Sequence, residues 1–269
     1  MKNKIMFIFL GTVLLIFLVS MITSKTYNKK NTIRTSSTAL SNQSIGWGIK
    51  RNDNHEQPDL GIKNKKLIEE YSGIAIGNSS DKNIYLTFDE GYEAGYTEKI
   101  LDILKENNVK AAFFITGHYL NTQPELVKRM IDEGHIVGNH TVNHYSMPTL
   151  DDEKIKEEVM TLHTKLYEKF NYEMRYIRPP KGEYSERTLN KCKELGYTSV
   201  MWSFAYDDWD TKKQGREEYA KTKILENLHN GEVMLLHATS EDNANILSNI
   251  ISEVRNNGYE FKTLDELKK

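Results

Sequence analysis

The stretch NIYLTFDEGYEAGYTEKILDILKENNVKAAFFIT, residues 83–116, decides the fold. It opens on a short β-prone run, NIYLTF (83–88), that ends in Asp89, Glu90 and Gly91. TEKILDILKEN (97–107) then places Ile100, Leu101 and Leu104 on one helical face, and KAAFFIT (110–116) reads as a second strand. Strand, crossover helix and strand make the unit from which parallel sheets are built. The same alternation runs on to the C-terminus. QPELVKRMIDEG (123–134) predicts a helix with Pro124 near its start and Gly134 at its end. HIVGNH predicts a short strand entering a turn, and Ile155, Val159, Leu162 and Leu166 form a long helical stripe. MRYIRPP, TSVMWSF, EVMLLH and YEFKTL read as strands, separated by helices over Ser185–Leu195, 217–228 and 243–255. About seven strand–helix repeats predict an α/β fold with a parallel sheet, open or closed into a barrel. In such folds the chemistry sits at the C-terminal ends of the strands.

Those ends carry Asp89 and Glu90 after the first strand and His140 and His144 after the third. Arg178-Pro179-Pro180-Lys181-Gly182 follows the fourth, Asp207-Asp208-Trp209 the fifth and His237 the sixth. Buried charge is costly unless paired or metal-bound, so adjacent acids closing an apolar strand either face solvent in a turn or hold or move something. Two histidines four apart present both imidazoles to a common point, and with a carboxylate they make a divalent-metal site with open positions. Taken singly, such a pair is as well read as two unrelated surface histidines, Arg178 as a solvated loop residue, and His237 after its apolar run as a satisfied core histidine. Their convergence on one rim favours function. His118 and His135 read as structural, and His55, His163 and His229 as surface residues.

The 269 residues carry a net charge of -2, which excludes a strongly basic nucleic-acid surface and leaves no nucleic-acid partner expected. With 38% hydrophobic and 28% charged residues, the chain suits a globular body. The single cysteine, Cys192, can form neither an internal disulfide nor a thiolate metal cluster. Lys2 and Lys4 precede the uncharged run IMFIFLGTVLLIFLVSMI (5–22), long enough to span a bilayer. Residues 1–24 are therefore expected to be an N-terminal membrane anchor rather than a cleaved signal, since no good small-x-small site follows. Residues 25–45 are polar and aperiodic and read as a flexible linker. Residues 46–82 are expected to pack as an extension on a catalytic domain over 83–269. The lysines after the apolar run run against the positive-inside bias, but a long C-terminal domain can still be translocated.

These motifs together resemble the polysaccharide deacetylase family, also called NodB-homology or carbohydrate esterase family 4. The family's T-F-D-D-G stands here as Thr87-Phe88-Asp89-Glu90-Gly91, and its H-[ST]-x-x-H as His140-Thr141-Val142-Asn143-His144. Its R-x-P-x-G stands as Arg178-Pro179-Pro180-Lys181-Gly182 and its L-x-H as Leu235-Leu236-His237. Its D-x-x-D-W stands as Ala205-Tyr206-Asp207-Asp208-Trp209, without the first acid. The segments 46–61, 83–97, 176–189 and 237–244 are similar to the subgroup of N-acetylmuramic acid deacetylases of the PdaA type. The resemblance implies a distorted (β/α)7 barrel that removes the acetyl group from N-acetylmuramic acid in peptide-stripped peptidoglycan. The freed amine can then close on the lactyl carboxyl to muramic δ-lactam, a mark of spore cortex. It further implies dependence on a peptide-trimming amidase and an extracytoplasmic catalytic domain, membrane-anchored, or secreted if the leader is cleaved.

The resemblance also implies roles. His140 and His144 bind a divalent metal, usually zinc, which polarises the acetamide carbonyl and acidifies a water. Asp89 is the general base, held ionised by Arg178. The backbone N–H of Lys181 meets the oxyanion. His237 is the general acid, its imidazolium form favoured by Asp208, and Trp209 and Leu235 wall its pocket. The family has aspartate as third metal ligand where this chain has Glu90. With one more methylene, Glu90 is expected to complete the triad. Two alternatives remain open: deacetylation of N-acetylglucosamine, chitin or acetylxylan, and a catalytically silent, membrane-tethered glycan-binding module.

Overall fold

The computed structural model describes residues 39–267, of which those from Ser41 on belong to one compact body. The anchor expected over residues 1–24 and most of the linker lie outside the described residues. Among the described residues no helix is long and apolar enough to cross a membrane. The linker expected up to residue 45 gives way to docked chain by Ser41, whose amide donates to the Glu186 carboxylate at 2.9 Å. A short strand β1 (Ile45–Gly46) and a helix α1 (Ile62–Glu70) follow.

The alternating body begins at β2 (Asn83–Glu90) and α2 (Thr97–Glu106). Next come β3 (Ala112–Ile115), the short α3 (Gly117–Thr122) and α4 (Pro124–Asp132), then β4 (Ile136–Asn139) and the long α5 (Asp152–Phe170). The second half holds β5 (Tyr176–Ile177), β6 (Glu183–Tyr184), α6 (Glu186–Glu194) and β7 (Thr198–Ser199). It ends with α7 (Glu217–Glu226), β8 (Glu232–His237), α8 (Glu241–Asn256) and β9 (Glu260–Phe261). Helix starts are capped where the sequence places short polar side chains. Asp151, Ser185 and Ser240 each accept the amide three residues on, satisfying donors that a helix N-terminus otherwise leaves open.

The main sheet runs β7-β5-β4-β3-β2-β8, with β9 also beside β2, and every pairing is parallel. It curls without closing by a ladder. Its two edges are joined through the irregular segment after β7, where Phe204 bridges Met234 and the Leu235 amide donates to the Phe204 carbonyl at 2.9 Å. The expected barrel is thus a curled sheet whose seam is a single bridge. The run TSVMWSF departs from a regular strand after Ser199 because its backbone divides its bonds. Val200 donates to Ile177, Met201 to Ile74 and Ser203 to Val233.

Side-chain alternation along β2 builds both faces. Ile84, Leu86 and Phe88 pack with Ile100, Leu101 and Leu104 of α2 in the layer between sheet and helices. Tyr85 belongs to a smaller core with Ala112, Phe114, Ile136, Val200 and Val233. Each such apolar side chain contributes roughly 1.5–3 kcal/mol of burial. Trp47 and Ile68 of the extension pack with Tyr184, Leu189 and Met201. His229, read from sequence as a surface residue, is instead buried between Ser203 and the β8 entrance, its Nε2 2.8 Å from the Ser203 hydroxyl.

Phe114 depends on Gly138 beside it on β4. A Cβ there would lie 2.5 Å from the Phe114 ring, closer than any real contact. Gly138→Ala is expected to lower stability by about 1–3 kcal/mol, the usual cost of overpacking a filled core. It should also displace Phe114 and lower activity. Denaturant unfolding with a wild-type midpoint would refute this.

Candidate active site

One cavity of about 1020 Å³ opens at the C-terminal ends of the strands. Asp89, His140, His144, Lys181, Trp209, Leu235 and His237 all line it. Arg178 and Asp208 lie beneath its surface, each within hydrogen-bond reach of a lining residue. Parallel register does the first part of the assembly, setting Asp89 of β2 directly opposite His237 of β8.

The floor is an ion pair. Arg178 is fully buried, and its Nη1 donates to Asp89 Oδ1 at 2.6 Å. Its Nη2 donates to the Thr87 hydroxyl at 2.9 Å and its Nε to the Val200 carbonyl at 3.2 Å. The guanidinium stacks 4.2 Å over the Phe114 ring. Burial raises the Asp89 pKa, but Arg178 and then the neighbouring histidines outweigh it and hold the carboxyl below its ordinary value. Asp89 is thus a carboxylate at neutral pH, with Oδ2 turned toward His140 Nε2 at 3.5 Å.

The histidine pair sits on a strained loop rather than a helical turn. Thr141 and His144 have φ of 65° and 56°, unusual for non-glycine residues and more so for a β-branched one. The loop is over-determined by its hydrogen bonds. Thr141 N–H donates to Asn139 Oδ1 at 2.8 Å, His144 N–H to Thr141 Oγ1 at 3.1 Å and Asn143 N–H to Glu158 at 2.8 Å. His140 Nδ1 contacts the Arg178 carbonyl at 2.9 Å, so it carries the proton and leaves Nε2 with a free lone pair. The two Nε2 atoms are 3.1 Å apart. Burial keeps both imidazoles neutral, with His144 lowered to about 4.

This pair fits a divalent metal. Two nitrogens bound at 2.0–2.1 Å on a tetrahedral ion lie about 3.3 Å from each other, close to the observed separation. Among the described residues no group of three or more His, Cys, Asp or Glu is arranged as a metal site. The fit is therefore to two protein ligands with the remaining positions open.

Glu90, expected as the third ligand, is not among the cavity's lining residues. The reason is the period of the strand: Asp89 points into the cavity, so Glu90 takes the Phe88 side, against the helices. It is fully buried and neither carboxylate oxygen has a hydrogen-bond partner. Burial, then the charges of Glu93 and Asp89, push its pKa well above the ordinary value.

Across the cavity, His237 Nδ1 lies 2.9 Å from Asp208 Oδ1, and the His237 amide donates to Asp208 Oδ2 at 2.7 Å. Burial lowers the His237 pKa, but Asp208 more than offsets it, and the net shift is upward. Leu235 is buried beside it, whereas Trp209 stands 62% exposed at the rim. The sequence reading missed Thr87, Phe114 and Asn243. Asn243 donates to Asp208 at 2.7 Å and accepts from the Tyr206 hydroxyl at 2.5 Å. Its signal was its place in the first turn of the helix after His237.

Glu90→Gln tests the new placement. A carboxyl with a raised folded pKa contributes most below its ordinary value of 4.5, and that contribution is lost as pH rises toward the folded pKa. The variant should therefore gain stability over wild type as pH climbs from 4 to 8, with zinc affinity unchanged. A pH-independent difference in thermal midpoint, or weakened zinc binding, would contradict it.

Comparison with known proteins agrees with the geometry. The polysaccharide deacetylase family model matches residues 76–200. The chain is 43% identical over 230 residues to the peptidoglycan-N-acetylmuramic acid deacetylase PdaA of Bacillus subtilis, covering 85% of this chain and 88% of that protein. It is 34% identical over 192 residues to a peptidoglycan-N-acetylglucosamine deacetylase of Bacillus cereus, covering 70% and 89%. The solved structure of Bacillus subtilis PdaA, a family 4 carbohydrate esterase, superposes with a TM-score of 0.83 over 85% of this chain and 98% of that one. With that likeness in sequence and in structure, this chain belongs to the polysaccharide deacetylase family, carbohydrate esterase family 4.

Proposed function

We propose that this protein deacetylates peptidoglycan, and that its substrate is N-acetylmuramic acid in peptide-stripped strands. The observation that carries the deacetylase reading is the arrangement in one cavity of an Arg-held carboxylate, a neutral histidine pair and an Asp-held histidine. The muramic assignment is supported by 43% identity to a protein named for that activity. The freed amine would then close on the lactyl carboxyl to the δ-lactam of spore cortex, after an amidase has stripped the peptide. The setting we infer is extracytoplasmic, with residues 1–24 as the anchor.

His140 and His144 would hold the metal, zinc in the simplest case, which when bound supplies electrophilic polarisation of the acetamide carbonyl and a more acidic water. Asp89 accepts the proton of the attacking water, its charge kept in place by Arg178. As the carbon–oxygen bond forms, negative charge grows on the former carbonyl oxygen, and the Lys181 amide would meet it. The carbon–nitrogen bond then breaks. His237 protonates the departing amine, for which it must start as imidazolium, and acetate leaves. Leu235 and Trp209 wall the pocket around it.

Mass analysis of peptidoglycan strands, with and without amidase trimming, after incubation with the purified domain tests the function. Loss of acetyl from muramic acid only in trimmed strands is expected. Loss from glucosamine alone would replace the muramic reading, and no loss from either would support a silent binding module.

The division of labour predicts a split. His140→Ala and His144→Ala should lose zinc and activity together, while Asp89→Asn should bind zinc yet lose on the order of 10²–10⁴ in rate. Zinc titration beside turnover decides it, and wild-type turnover in Asp89→Asn would end the base assignment.

The His237–Asp208 pair sets the basic limb of kcat/KM, where the imidazolium is lost. Asp208 raises the His237 pKa above its ordinary 6.5, so Asp208→Asn should move that limb to lower pH along with reducing the rate. An unmoved basic limb would assign the acid to another residue.

A further inference from the structure

N-acetylmuramic acid differs from N-acetylglucosamine by its lactyl ether. In a stripped strand that ether ends in a free carboxylate, and in a peptide-bearing strand in a neutral amide. A cation free to meet the carboxylate would tell these apart. Among the described residues that line the cavity, Lys181 is the only lysine or arginine. Arg178 cannot serve, being fully buried with its donors already engaged by Asp89, Thr87 and Val200. Lys181 is exposed, and no described carboxylate lies within ion-pair distance of it. Asp89 is the only acid among the described lining residues and is itself paired. Lys181 and the histidine pair line the same cavity.

The backbone adds a second, independent observation. Lys181 has φ 61° and ψ 7°, the left-handed region, which is unfavourable for a non-glycine residue. Glycine would take that conformation without strain. A lysine held there retains a side chain at a conformational cost, as residues at ligand clamps do. The next residue cannot carry one, since a Cβ on Gly182 would meet the Trp202 ring at 2.7 Å. The loop therefore presents one side chain to the cavity, and it is cationic.

We propose that the Lys181 ammonium binds the lactyl carboxylate of the muramic residue being deacetylated. This rests on the muramic reading above and extends it. One contact then accounts for two preferences, muramic acid over glucosamine and stripped strands over peptide-substituted ones. It is separate from the role proposed above for the Lys181 backbone amide.

The test compares kcat/KM on stripped muramic strands with the lactyl group as free acid and as methyl ester. Wild type should prefer the acid by roughly ten-fold or more, the scale of a charge-assisted contact, and the preference should shrink with added salt. Lys181→Met should bring the acid down to the ester's level, a ratio of about one, while Lys181→Arg keeps most of the preference. A Lys181→Met enzyme that retains the wild-type ratio overturns the assignment, as does a wild type that takes acid and ester equally. A wild type active on N-acetylglucosamine and on neither muramic form overturns the substrate reading and this contact with it. That failure is visible without any variant.

Discussion

The buried contact between Arg178 and Asp89 is the constraint on which the site depends. A guanidinium with no exposure is stable only if its donors and its charge are answered. Here a carboxylate, a threonine hydroxyl and a backbone carbonyl answer the donors, and the Phe114 face supports the planar cation. These partners come from β2, β3 and the segment after β7, so the ion pair ties together elements far apart in sequence. The same pair keeps Asp89 ionised in a place where burial alone would protonate it. Structural and chemical requirements thus fall on the same atoms.

Around that carboxylate the two histidine systems are tuned in opposite directions. His140 is buried and His144 half-buried, with no acid bonded to them closely enough to offset desolvation, and they stay neutral, as ligands must. His237 has a buried aspartate at hydrogen-bond distance and is shifted toward the charged form, as a proton donor requires. One cavity therefore holds neutral and protonatable imidazoles because their partners differ, a backbone carbonyl for His140 and a carboxylate for His237.

The shell behind these groups is built from strain and hydrogen bonds. The positive φ of Thr141 and His144 would relax in isolation, but Asn139 and Glu158 hold the loop from two directions. Asn243 and Tyr206 fix Asp208 in the same way. Glu90 stands outside this order, a buried carboxyl with no hydrogen-bond partner beside Glu93. Its pKa shift removes the charge that its position cannot accommodate.

Much of this was legible in the residues themselves. Hydrophobic period distinguished strands from helices, because a period of two and a period of 3.6 leave different marks in any chain. Pro124 and Gly134 marked the ends of one helix, and the rule that parallel strands carry their chemistry at the C-terminal end brought Asp89, His140, Arg178 and His237 to one rim. Sequence did not decide which way each side chain faces. Asp89 and Glu90 are neighbours of equal charge, and only the register of β2 against β3 and β8 turns one into the cavity and the other into the helix layer. His229 reads as polar and is buried, because a hydroxyl from a distant segment satisfies it. Thr87 and Phe114 look like ordinary strand residues until Arg178 arrives from 64 or more positions away. Local pattern is a property of short stretches and can be read from them. Orientation, burial and pKa depend on partners brought together by long-range packing, so they exist only once the chain has folded.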